Sequence, residues 1–199
     1  MFPRLPDPAP PTLIMTDPRA RESLMDAAAI ERALSRMARE IVEKAAGTEN
    51  LVLIGIHRRG VHLAERLAGE IRRAEKAEIP TGSLDITLYR DDLIQIGPRP
   101  VVGETRLPVA GVDESTVVIV DDVLFTGRTV RAALDELADF GRPRRTLLCV
   151  LIDRGGRELP IHADVVGKEM EVRGSDRVEV LVPEIDGRLA VELARGGEG

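Results

Sequence analysis

Aromatic side chains are almost missing from this 199-residue chain: three Phe, one Tyr and no Trp, 2% in all. The core must therefore be aliphatic, and a nucleic-acid platform built from several stacked aromatics is excluded. There is one cysteine, Cys149, so an intramolecular disulfide and a multi-cysteine zinc site are excluded as well. It lies in the apolar run Thr146 to Ile152, where a buried, inert thiol is expected. Positive charge is not in excess; the formal net charge is -6. Binding to nucleic acid would then need a local cationic patch on an acidic body. No apolar run is long enough to span a bilayer, and the N-terminus has no cationic stretch leading into an apolar one. A soluble cytoplasmic protein is the expectation. The chain contains no G-x-x-x-x-G-K-[ST], which excludes a P-loop ATPase, and no G-x-G-x-x-G after a strand, which leaves a Rossmann dinucleotide site unsupported. His57, His62 and His162 have no mutual spacing that suggests a metal site.

What is present is an ordinary globular composition, 43% hydrophobic, of a length that fits one domain. Prolines crowd residues 1–22, which reads as a disordered extension, leaving 23–199 as a single domain. From Asp26, a plausible N-cap, Ile30, Leu34, Met37 and Ile41 recur at helical spacing, and Gly47 is a plausible stop. Arg32, Ser35, Arg36 and Arg39 form a polar, mostly cationic stripe away from that apolar face. Leu51 to Ile56 reads as a buried strand, followed by HRRG and a helix over 61–74. Residues 83–89 alternate like a half-buried strand. Residues 90–111 show no sustained period; internal stretches of that kind often act as lids. A strand at 117–120, a loop, a helix at 128–140 closed by Gly141, a buried strand at 146–152, and shorter strands near 164–166 and 178–182 complete the reading. The order implies an α/β protein with a mostly parallel sheet flanked by helices, its ligand beyond the carboxyl ends of the strands.

Two segments fall there, HRRG and the stretch VVIVDDVLFTGRT, Val117 to Thr129. Two uncompensated carboxylates inside a core would cost several kcal/mol each, by a rough estimate. Placed where the strand ends, Asp121 and Asp122 can instead face a crevice. There they could accept from the adjacent hydroxyls of a ribose or hold a hydrated magnesium ion. The following loop has Gly127 between Thr126 and Thr129, ahead of a helix N-terminus, a combination suited to phosphate. A sugar phosphate is the smallest ligand that satisfies both. An Asp or Thr before a helix also serves as a simple N-cap, and that alternative remains for each residue taken singly.

VVIVDDVLFTGRT resembles the phosphoribosyl pyrophosphate (PRPP) motif of type I phosphoribosyltransferases. DITLYRDDL, GRTVRAALDEL and DRGGRELPIHADVVGK are similar to the PyrR family, pyrimidine-operon regulators that are also uracil phosphoribosyltransferases. The resemblance runs from about Ala29 to the C-terminus. It implies the type I phosphoribosyltransferase fold with a flexible lid loop, and transfer of phosphoribosyl from PRPP to uracil, giving UMP and pyrophosphate with Mg2+. By position it assigns catalysis and metal to Asp121 and Asp122, with Arg90 at the base of the lid. Substrate binding falls to Arg58 and Arg59 for pyrophosphate and to Val123, Leu124, Phe125, Thr126, Gly127, Arg128 and Thr129 around the 5′-phosphate. Arg154, and backbone near Val178 for uracil, complete that set. The resemblance further implies UMP-dependent binding of pyrimidine operon leader mRNA through Ser35, Arg36, Arg39, Arg157 and Lys168, and a homodimer or larger assembly. The family commonly has His at Gly156 and Arg at His162, so one RNA donor is lost and one weakened. Two other readings stay open: a phosphoribosyltransferase for another base without RNA regulation, and a nucleotide-sensing RNA-binding regulator with little catalysis. The intact acidic pair and Gly127 argue against the second.

Overall fold

The computed structural model describes residues 21–89 and 104–196. The elements run β1 (Arg21–Met25), α1 (Ala27–Ala45), β2 (Leu51–Ile56), α2 (Arg59–Glu75), β3 (Thr81–Leu84) and a 3-10 turn (Ile86–Tyr89). After these come β4 (Thr116–Leu124), α3 (Arg128–Phe140), β5 (Arg145–Asp153), β6 (Val165–Glu169), β7 (Arg177–Leu181), the one-turn α4 (Pro183–Asp186) and β8 (Ala190–Ala194). Strands β3-β2-β4-β5-β6 form a parallel sheet. Its faces follow the alternation of side chains along a strand. Leu51, Leu53, Val118, Val120, Leu147 and Cys149 face the apolar stripes of α1 and α2. Val52, Ile54, Val117, Ile119, Leu148 and Val150 pack with Val130, Ala133 and Leu137 of α3. Leu53, Leu67 and Ile119 are at most 1% exposed, so trimming any of them to Ala would cost about 2–5 kcal/mol. Cys149 is buried as expected, and burial pushes its thiol far above the ordinary range.

Helix α1 starts where expected: the Asp26 carboxylate accepts from the Ala29 N–H at 2.7 Å. It ends at Ala46 in the left-handed region, with the Gly47 N–H returning to the Val42 carbonyl at 2.9 Å.

Three expectations need correction, and a fourth lies mostly outside the described residues. The proline-rich segment does not reach residue 22: Arg21 and Glu22 belong to β1 and pair with Ala194 and Leu193. Residues 83–89 are not one strand; β3 ends at Leu84 and the chain turns into the 3-10 segment, where Asp85 accepts from the Thr87 N–H at 3.0 Å. That side-chain bond offers the backbone an alternative to the sheet ladder. The strand near 178–182 is not part of the parallel sheet. It belongs to a separate three-stranded antiparallel sheet, β1-β8-β7, built from the two ends of the described chain. Finally, the expected lid falls mostly on residues 90–103, outside the described residues. Its return is described: Arg106 and Ser83 exchange backbone hydrogen bonds at 2.9 and 2.7 Å.

Candidate active site

The acidic pair sits further inside its strand than its sequence suggests. β4 continues through both carboxylates to Leu124, because β5 runs alongside it, pairing Asp121 with Val150 and Leu124 with Asp153. Asp121 is only 6% exposed and Asp122 is half-buried. The Asp121 carboxylate accepts from the Asp122 N–H, and Asp122 from the Val123 N–H, each at 2.9 Å. Burial pushes the Asp121 carboxyl well above the ordinary carboxylate range, and the Asp122 charge beside it pushes the same way. Burial also raises Asp122, although Arg59 opposes this. Two such carboxyls at a strand end gain from a ligand that brings positive charge or hydroxyl donors.

The turn that follows is held from behind. Arg154 N–H donates to the Leu124 carbonyl at 3.1 Å, and Glu158 and Leu159 N–H both donate to the Thr126 carbonyl, at 3.0 and 3.1 Å. The Arg157 guanidinium donates to the Phe125 carbonyl at 2.9 Å. Gly127 has φ +92°, and a Cβ there would lie 3.3 Å from the Cβ of Leu159. It leads into α3, whose N-terminal amides point out of the helix. Arg128 forms an ion pair with Glu158 at 2.7 Å, and the Thr126 hydroxyl accepts from the Arg128 N–H at 3.3 Å. Val123 is half-buried in β4, and Thr129 lies in the first turn of α3.

Arg154, which the resemblance assigns to substrate, is 6% exposed, with its guanidinium 4.0 Å from the centroid of the Phe125 ring and donating to the Asp176 carbonyl at 2.9 Å. Gly156 explains its own departure from the family pattern: φ is +76°, and a Cβ would come 2.5 Å from the Phe125 ring. No histidine fits against that ring in this arrangement.

The second loop lies at the end of the neighbouring strand β2. Arg58 is exposed at the start of α2, after a cis peptide from His57. Arg59 makes a two-pronged ion pair with Asp186 of α4, at 3.2 and 3.0 Å. That bond raises the Arg59 pKa and lowers that of Asp186, which also accepts from the Val182 N–H at 2.9 Å. Val178 lies in β7, opposite Leu193 and half-buried. Sequence reasoning missed Asp186. It lies 127 residues from Arg59 in an unremarkable turn, and no local pattern could have joined them. Arg90 lies outside the described residues.

The expected RNA residues are spread over one flank. Ser35 donates to Glu70 at 2.7 Å, and Arg36 donates to the Val166 and Gly167 carbonyls at 3.0 and 2.5 Å. Lys168 donates to the Leu24 carbonyl at 3.2 Å, and Arg39 is exposed. The Arg157 guanidinium donates to the Ile161 and Phe125 carbonyls, at 3.0 and 2.9 Å, and so is turned toward the loop after β4. A groove of about 1180 Å³ runs between α1 and α2, where Arg32, Arg39, Lys44 and Arg72 are interspersed with Glu31 and Glu43. Among the described residues, no helix is long and apolar enough to cross a membrane.

Residues 20–186 match the phosphoribosyl transferase domain. The chain is 57% identical over 175 residues to the bifunctional protein PyrR of Thermus thermophilus, covering 88% of this chain and 96% of that protein. It is 52% identical over 179 residues to the bifunctional protein PyrR of Deinococcus deserti, covering 90% and 96%. Among solved structures, the hypoxanthine phosphoribosyltransferase of Trypanosoma cruzi superposes with a TM-score of 0.66 at 18% identity, over 88% of this chain and 97% of that one. At that identity the likeness speaks for the fold alone. A buried acidic strand end, a braced loop before a helix, and relatives that align over nearly their whole length agree: the chain belongs to the phosphoribosyltransferases and, within them, to the PyrR family.

Proposed function

We propose that this protein transfers the phosphoribosyl group of PRPP to uracil, releasing pyrophosphate and UMP, and that it regulates pyrimidine operons by UMP-dependent binding to leader mRNA. The observation that carries the first half is the placement of the buried Asp121–Asp122 pair one turn before the braced loop at Gly127. The carboxylates accept from the ribose hydroxyls. The amides around Gly127 and the first turn of α3 take the 5′-phosphate. Arg58 and Arg59, at the end of the adjacent strand, take the pyrophosphate. Uracil then lies toward β7, against backbone near Val178. Breaking the bond from C1′ to pyrophosphate leaves positive charge on the sugar and adds negative charge to the leaving group. Preorganised arginines and carboxylates match that separation without a side-chain nucleophile. Arg90 helps to cover the leaving group and to keep water out.

Magnesium bound with PRPP fits this site. Among the described residues, no group of three or more His, Cys, Asp or Glu is arranged to hold a metal. The donors on offer are Asp121 and Asp122, and a magnesium ion often takes just one or two carboxylates with substrate phosphates and water. When bound, it neutralises charge on the departing pyrophosphate.

The regulatory half is supported by the basic groove on α1 and α2, a cationic patch on an acidic protein. Incubation with PRPP, magnesium and, separately, uracil, orotate, hypoxanthine or guanine tests the reaction. UMP formed from uracil alone is the expected result; turnover of another base and not of uracil overturns it. Leader RNA titrated with and without UMP at two salt concentrations tests the regulation. Binding that tightens with UMP and weakens with salt is expected, and no UMP dependence removes this half.

A further inference from the structure

The carbonyls of Leu124, Phe125 and Thr126 all accept from the segment 154–159, and that of Gly127 accepts from the Arg131 N–H of α3. In a planar trans peptide the carbonyl of one residue and the N–H of the next point in opposite directions. Fixing the Phe125 carbonyl from behind therefore turns the Thr126 N–H forward. Fixing the Thr126 carbonyl does the same for Gly127. The Thr126 carbonyl is fixed by backbone. The Phe125 carbonyl is fixed by one side chain, Arg157.

Arg157 is built into this place. Its side chain is 17% exposed. Nε donates to the Ile161 carbonyl at 3.0 Å, Nη1 to Phe125 at 2.9 Å and to Gly155 at 3.3 Å, and Nη2 pairs with Asp153. Asp153 ends β5 and also accepts from the Gly155 N–H at 3.0 Å, so the anchor is itself anchored. A planar fork reaches the loop, the turn behind it and a strand end together; a lysine ammonium cannot span them.

We propose that Arg157 is a positioning residue for the phosphate end of the transfer reaction, aiming the Thr126 amide into the crevice by holding the carbonyl of Phe125. This rests on the reading of that loop as the 5′-phosphate seat. It predicts a defect confined to one end of the ligand. UMP and PRPP use the loop; inorganic pyrophosphate uses Arg58 and Arg59 at the other end of the site.

The test is calorimetric titration of UMP and of inorganic pyrophosphate, both with magnesium, into wild type, Arg157→Gln and Arg157→Lys, together with KM for PRPP and for uracil. In Arg157→Gln the UMP Kd and the PRPP KM should rise about tenfold, as expected when a positioned group is let go. The pyrophosphate Kd and the uracil KM should stay within about twofold, and Arg157→Lys should fall between. Unchanged UMP affinity in both variants overturns the proposal, and so does parallel weakening of UMP and pyrophosphate, the mark of a purely structural role. If Arg157→Gln does not fold, Arg157→Lys is read by the same two comparisons. Wild type that binds neither ligand overturns the proposed function and this inference together; wild type that binds both, with variants that match it, overturns this inference alone.

Discussion

The two loops of the site end neighbouring strands of one sheet, yet they are held in opposite ways. The loop after β4 is fixed by backbone bonds and one guanidinium from the segment directly after β5. The loop after β2 is fixed to the small antiparallel sheet's connection by a side-chain ion pair, Arg59 with Asp186, that solvent reaches. The first arrangement leaves a loop whose amides are set before a ligand arrives. The second leaves an arginine that must let go of one anion to take another. In the proposed reaction, the phosphate that stays with the product takes the rigid seat and the departing pyrophosphate takes the releasable one.

The largest effect should come from the residue on which the rigid side converges. Asp121→Asn keeps the shape and removes the charge. Transfer should fall at least ~100-fold, the scale of losing one preorganised electrostatic group. The same change removes a buried charge beside Asp122, so thermal melting should occur at a higher temperature than in wild type. Activity and melting curves measured on one preparation check both signs; normal turnover in this variant sinks the assignment of the acidic pair.

Gly127→Ala comes next. It forces a side chain into φ +92° and sets a Cβ against Leu159 and Ile161. A strain of about 1–2 kcal/mol should raise the PRPP KM about fivefold to thirtyfold while leaving pyrophosphate affinity unchanged. Pyrophosphate binding that fell as far would mean that the two loops are not held independently.

The difference in how the loops are held also explains what the sequence disclosed. Asp121, Asp122, Thr126 and Gly127 are consecutive or nearly so, and strand-to-turn-to-helix chemistry is local, so both the loop and α3 could be read from one stretch. The parallel sheet was legible for the same reason: β2 and β5 are unbroken apolar runs bounded by turns. The antiparallel sheet was not. It joins β1 to β8 and β7, ends of the chain about 170 residues apart, through short strands of mixed burial. Asp186 was hidden with it. Arg157 was legible as a residue but not in its role, since a resemblance assigns position and cannot show which way a guanidinium turns. The reach of β4 past the carboxylates was missed because acids in a strand contradict the apolar pattern; pairing with β5 overrides it.

Asp186→Asn probes the releasable side with a smaller effect. The amide oxygen can still accept from Val182 N–H, so the turn is kept while the ion pair with Arg59 is lost. A solvent-accessible pair is worth roughly 1 kcal/mol or less, so pyrophosphate should bind up to about fivefold tighter once Arg59 is released. UMP should bind as in wild type. Weaker pyrophosphate binding would show that Asp186 orients Arg59 for the ligand and does not compete with it.

The smallest effect should lie outside both loops, on α3. Glu136 of α3 is 3% exposed; its Oε1 accepts from the Thr105 hydroxyl, while Oε2 is buried without a partner among the described residues. Burial raises its pKa first; the Asp85 charge adds to this, and the Thr105 hydrogen bond and His57 oppose it. A carboxyl raised in the fold contributes stability that is complete below the ordinary carboxylate range. That contribution is lost as pH rises through the folded value. Glu136→Gln cannot ionise and can still accept from Thr105. Its melting temperature, minus that of wild type, should therefore grow as pH is raised from about 5 to about 8, the interval above an unperturbed carboxyl. A flat difference would mean that Glu136 is ionised at no cost. The contact between α3 and the return of the chain at Thr105 would then be an ordinary charged hydrogen bond.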